Sequence, residues 1–137
     1  MFKLKHAQGV IMKYISLIFL TMISLQANAT EKRCGWLENP TPGNLWLTDS
    51  DGSWGILMQG RDTVLSDDEV DKVGAAMKNK QEYVRTNRSY GFSCACMDVN
   101  TQAQSKMIIA VHHAEQLPLK TCLEDTAITP KIPLPFK

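Results

Sequence analysis

The chain has little surplus charge, no long apolar run and none of the short motifs that mark common catalytic centres. Its 137 residues carry 15 Lys and Arg against 14 Asp and Glu. Three of those bases, Lys3, Lys5 and Lys13, fall in the first 29 residues, which leaves 12 against 14 acids and a net of −2 in the remainder. That balance argues against nucleic acid as a partner, because phosphate binding needs clustered Lys and Arg. The apolar run Ile15 to Leu25 is shorter than the roughly 20 residues of a spanning helix, so no stable membrane anchor is expected. There is no G-x-S-x-G elbow to present a nucleophile. A C-x-x-C at a helix start, where the thiol pKa is lowered, is missing too. No internal repeat and no long low-complexity segment occurs, and nothing in the sequence speaks to oligomeric state.

What is present at the N-terminus is an export signal. The three lysines form a basic region, Ile15 to Leu25 an apolar one, and Ala27-Asn28-Ala29 has the small-x-small form of a cleavage site. Cleavage is expected after Ala29, with either Met1 or Met12 as the start. The remaining 108 residues, Thr30 to Lys137, amount to one domain.

All four cysteines, Cys34, Cys94, Cys96 and Cys122, lie in that domain. An even number in a small exported domain implies disulfides, each contributing roughly 2–4 kcal/mol. Cys94 paired with Cys96 would close a strained ring, so Cys34 and Cys122 are each expected to reach one member of the Cys94/Cys96 pair. Either connectivity ties both ends of the domain to one central strand.

Residues 39–44, Asn-Pro-Thr-Pro-Gly-Asn, read as a turn segment that prolines keep out of regular structure. Asn44 to Asp49 and Ser53 to Gln59 read as a hairpin with Asp51-Gly52 as its two-residue loop, pairing Leu47 with Ile56, Leu45 with Met58 and Asp49 with Trp54. Its core face then carries Leu45, Leu47, Trp54, Ile56 and Met58. Ser66 with Glu69 forms a capping box, Leu65 staples onto Val70, and Val70, Val73, Ala76 and Met77 make the apolar stripe of one short helix. From Tyr83 the chain returns to strands. Tyr90, Phe92, Cys94 and Cys96 share one face, expected to be buried, and residues 106–113 form a further strand. The fold class is mainly β: a small antiparallel barrel or curved sheet of five or six strands with one helix, an oligonucleotide-binding-type barrel being one topology. An α+β sheet is the alternative, the two differing in whether the first and last strands pair. The domain is expected over residues 30–125, with 126–137 as an extended proline-containing tail.

The segments CGWLENPTPGN, LTDSDGSW, YGFSCAC and LPLKTC together resemble domain-of-unknown-function family 4087, small exported bacterial proteins, over nearly all of Cys34 to Asp125. The resemblance implies a Gram-negative periplasmic location. It brings no activity, ligand or catalytic residue.

Asp49-Ser50-Asp51-Gly52 opens like a calcium loop, but no acid follows where the twelfth-position Glu is required, so no metal is expected there. Cys94, Cys96, His112 and His113 offer a thiol-redox or metal-handling alternative. Against it, adjacent histidines on a strand point to opposite faces. His112 and His113 lack a marked nucleophile partner as general bases. Asp67 to Asp71 is a helix start, and Asn87-Arg88-Ser89 matches a glycosylation pattern without meaning in a periplasm. No catalytic residue, no metal and no cofactor is expected. The leading expectation is a non-enzymatic, soluble periplasmic binding protein of the inhibitor or immunity type, recognising another exported or envelope protein, or an envelope ligand. Its contact residues are Trp36, Asn39, Pro40, Pro42, Asn44, Trp46, Asp49 and Asp51, because tryptophans beside a rigid loop suit recognition. Packing is the competing role for both tryptophans and outweighs recognition in each, more so for Trp36.

Overall fold

The computed structural model describes residues 29–131 and residue 133. The expected signal lies outside the described residues apart from Ala29, as do positions 132 and 134–137 of the tail.

Six strands, β1 (Glu31–Thr41), β2 (Asn44–Asp49), β3 (Gly52–Leu57), β4 (Tyr83–Asn87), β5 (Tyr90–Gln102) and β6 (Met107–Leu117), form one mixed sheet. The order is β1-β2-β3-β6-β5-β4, and β1 also pairs with β5, so five strands close a ring with β4 on its edge. This is the expected barrel, and the helix placed after β3 gives it a likeness to the oligonucleotide-binding type. It is not wholly antiparallel, because β3 meets β6 in parallel through Gly55 and Met107. Nor do the first and last strands join each other: β1 closes on β5, with Glu31 opposite Val99 and Asn39 opposite Gly91.

The prolines of the 39–44 segment do not exclude a strand. β1 runs through Pro40 to Thr41, and only Pro42 and Gly43 turn. Pro40 is tolerated because the β1–β2 ladder is irregular between Glu38 and Thr41 and the β1–β5 ladder stops at Asn39, so the missing N–H falls where pairing lapses. The β2–β3 hairpin also differs from expectation in register. Asp49 faces Gly52 and Leu47 faces Trp54, which makes Ser50 and Asp51 the loop. The Asp49 carboxylate sets this turn by accepting from the Asp51 N–H (2.8 Å) and from Trp54 Nε1–H (3.1 Å), while Gly52 supplies φ of 123°. A slip of two residues preserves the side-chain face, so Leu45, Leu47, Trp54 and Ile56 are buried as expected.

Helix α1 (Asp67–Ala75) begins with the predicted capping box. The Glu69 N–H donates to Ser66 Oγ (3.3 Å), and Glu69 Oε2 accepts from the Ser66 N–H (2.9 Å). The other oxygen of Glu69 accepts from the Val111 N–H (2.9 Å), fixing the helix start to β6. At the far end Gln116 donates to the carbonyls of Asn79 and Glu82, each at 3.0 Å. Val73 and Ala76 enter the barrel core beside Leu37, Leu47, Ile56, Met97, Val99 and Ile108.

Residues 90–96 invert the expected arrangement. Ala95, Met97 and Val99 line the interior, whereas Phe92 and Cys94 look outward. They are nevertheless buried, because a second helix, α2 (Leu119–Glu124), folds over them with Ile128. Phe92 meets Trp36 edge to face, with ring centroids 5.5 Å apart. The segment after Asp125, read from the sequence as tail, packs as far as Lys131, whose Nζ donates to the carbonyls of Asp49 (2.8 Å) and Ser50 (2.7 Å).

Candidate functional site

Cys34 bonds Cys96 and Cys94 bonds Cys122, one of the two pairings the sequence left open. Cys94 is buried, but Cys34 is exposed and Cys96 half-buried on the bare outer wall, so the two sulfurs of the C-x-C do not share a buried setting.

His112 and His113 do not straddle the sheet. The β5–β6 register shifts between Asp98 and Val99, and this bulge turns both rings to solvent. His112 pairs with Asn100, and His113 faces Asp98. The carboxyl of Asp98 is held below the usual aspartate range by its hydrogen bond from Lys32, a 2.9 Å ion pair. Among the described residues no group of three or more His, Cys, Asp and Glu converges to hold a metal ion. Nor is any described helix long and apolar enough to cross a membrane.

The eight expected contact residues divide among three places. Trp36 is fully buried under α2 and presents nothing at the surface. Asn39, Pro42 and Asn44 line a depression against α1 with Leu57, Val70, Met77 and Tyr90, while Pro40 is half-buried in β1 beside them. Asn44 acts structurally, accepting from the Gln59 N–H (3.0 Å) and donating to Thr41 Oγ1 (2.7 Å).

Asp49 and Asp51 instead serve Arg33. Arg33 Nη1 donates to Asp49 Oδ2 (2.6 Å) and Asp51 Oδ2 (3.2 Å), Nη2 donates to Glu31 Oε2 (3.0 Å), and the guanidinium lies 3.7 Å from the Trp54 ring centroid. Burial works against the charge of Arg33, but these three carboxylates outweigh it and raise its pKa. Asp49 is 7% exposed at its side chain, so this pair is part of the packing rather than a contact surface.

Trp46 alone of the eight lines the groove on the outer wall of β2 and β3, about 400 Å³ in volume. Ser53 and Gly55 come from β3, Met58 and Arg61 from the loop after it, Ser105 and Lys106 from the β5–β6 turn, and Met107 from the start of β6. Met107 lies across Gly55 so closely that a Cβ there would stand 2.6 Å from its sulfur. The glycine thus lets two thioethers, Met58 and Met107, share the groove. Lys106 is held at φ 54°, a left-handed backbone that costs a non-glycine residue about 1–2 kcal/mol. Its carbonyl accepts from the Gly55 N–H (2.8 Å), and its ammonium sits 4.3 Å from the Trp54 ring centroid.

Arg61, Lys106, Met58 and Met107 carry no motif in the sequence. Residues 46–61 and 105–107 meet only because β3 and β6 pair at Gly55 and Met107. The positive φ of Lys106 could not have been read beforehand, since lysine has no preference for it.

No curated protein and no solved structure matches the chain. A family profile described as Protein of unknown function (DUF4087) matches residues 28–129, most of the chain, and agrees with the resemblance carried by the cysteine and tryptophan segments. The chain belongs to that family.

Proposed function

We propose that this domain is a non-enzymatic, exported binding protein, soluble in the periplasm, that recognises a partner protein through the outer wall of β2 and β3. The observation that carries the reading is the placement of Trp46, half-exposed at a groove of about 400 Å³. That volume is in the range of ligand pockets, and amphipathic tryptophan is favoured at contact hot spots. In oligonucleotide-binding-type barrels the second and third strands with the flanking loops form the ligand face. Fold analogy lends support and does not name the ligand. Two disulfides across a 137-residue chain give the rigidity that lowers the entropy cost of binding, as an inhibitor or immunity protein requires.

The test is affinity capture from a periplasmic extract with wild-type protein and Trp46→Ala in parallel. A captured protein that is lost with Trp46→Ala, while the melting temperature stays within about 2 °C, supports the reading. A captured set unchanged by the substitution overturns the assignment of the face.

A further inference from the structure

The charge at this groove is one-sided, and that narrows the partner. Arg61 and Lys106 are its titratable lining residues, and no carboxylate lines it. The Arg61 guanidinium makes no hydrogen bond or ion pair among the described residues, and the Lys106 ammonium donates only to the backbone carbonyl of Asp51 (3.4 Å). This contrasts with Arg33, a short distance away, which three carboxylates neutralise. A cation left without a counter-ion on an anchored loop is available to a ligand.

The loop that carries Arg61 is fixed at both ends. Its start is pinned by the Gln59 N–H on Asn44, its turn by the Arg61 N–H on the Met58 carbonyl (3.0 Å), and its end by buried Leu65. The backbone of Arg61 therefore stands at a defined place, which leaves its side chain as the part to be ordered on binding.

Shape supplies the second constraint. A second depression of about 230 Å³ continues on the other side of Arg61, sharing Arg61, Ser105 and Met107 with the first and reaching exposed Val64 and half-buried Ile109. Asp62 joins Arg61 in lining this second part, so the excess of cation over carboxylate belongs to the first. The surface is thus an elongated trough with thioether and indole walls, cationic at one end and aliphatic at the other.

We infer that the trough takes an extended acidic-apolar peptide segment of a partner protein, with a carboxylate on Arg61 and Lys106 and an apolar side chain toward Val64 and Ile109. The inference rests on the binding reading above and adds the chemistry of what is bound. Methionine walls suit a peptide, because flexible thioethers repack around differing apolar side chains. Paired cations suit carboxylates and steer their approach, so binding should weaken with ionic strength.

Selection of phage-displayed random heptapeptides on the full-length processed protein, with Trp46→Ala and Arg61→Glu as parallel baits, tests this. Enrichment of Asp or Glu beside Leu, Met or Phe is expected, with a synthetic winning peptide losing at least tenfold in affinity on Arg61→Glu at unchanged melting temperature. Winners lost with Trp46→Ala but bound by Arg61→Glu within twofold would keep the binding face and overturn the acidic partner. Winners rich in Lys or Arg would do the same. No enrichment over two independent selections, with co-sedimentation on purified peptidoglycan instead, would replace the peptide by a glycan.

Discussion

Cys94 and Cys96 stand two residues apart on one face of β5, yet their disulfides lie in different surroundings. Cys94 is sealed with Cys122 beneath α2, against Trp36, Phe92 and Ile128. Cys96 is joined to Cys34 on a wall that nothing covers, beside the ion pair of exposed Lys32 and half-buried Asp98. Strand alternation decides which residues share a face. Whether that face meets water is decided by where another part of the chain comes to rest, here the α2 segment, whose Cys122 lies 28 residues after Cys94.

The comparison can be broken by removing each bridge in turn. Cys94→Ala with Cys122→Ala is expected to cost about 4–5 kcal/mol in urea unfolding, because the cover over Trp36 and Phe92 loses its tether. Cys34→Ala with Cys96→Ala should cost less, about 3–4 kcal/mol. Chain entropy alone orders the pairs the other way, since separations of 62 and 28 residues favour Cys34–Cys96 by about 0.7 kcal/mol. Exposing as little as about 30 Å² of the apolar cluster offsets that difference. If the outer bridge proves the costlier to lose, loop closure outweighs the buried cluster and the contrast fails.

Ile128→Ala sharpens the same point without touching sulfur. It should cost about 2–3 kcal/mol in the native protein and under about 1 kcal/mol once Cys94 and Cys122 are replaced, because the segment is then already loosened. Equal costs in both backgrounds would mean that α2 stays docked without its bridge.

The smallest effect belongs to a region remote from both bridges. Ser66→Ala should cost about 1 kcal/mol through loss of the helix cap, and should add to either cysteine deletion. Its partner Glu69 is held below the ordinary glutamate range, first by the Ser66 N–H, then by the Val111 N–H and the Ser66 hydroxyl. A lowered folded pKa gives stability that is present above the ordinary value of about 4.3 and lost as the pH falls through the lowered one. Thermal melts of Glu69→Gln should therefore fall less steeply with acid than those of the wild type.

The parts legible in the sequence were those fixed by neighbours in the chain. Ser66 and Glu69 announce the helix start, and Leu45, Leu47, Trp54 and Ile56 announce a core face that survives the two-residue register slip. The exclusion of a Cys94–Cys96 bridge left two pairings, of which one formed. The parts that were not legible depend on distant segments. Pro40 can sit in a strand because two ladders lapse around it, His112 and His113 share a side because of a bulge, and the exterior position of Phe92 follows from the closure of β1 on β5. Of the expected contact residues, Trp46 reached the groove; Trp36 and Asp49 were drawn into packing by α2 and Arg33, neither of which leaves a local pattern.

The closure of β1 on β5 also dictates an order of events. Glu31 to Asn39 finds its partner only when residues 91–99 are present, and β3 waits longer still for Met107. A chain emerging N-terminus first is therefore an open three-strand meander, with β1 lacking its neighbour and Leu37, Leu47 and Ile56 on a face not yet enclosed. Pairings so far apart in sequence place the domain among slow folders, on the millisecond-to-second scale. Until its second half arrives, this small barrel is a sticky sheet that must be kept from others like it.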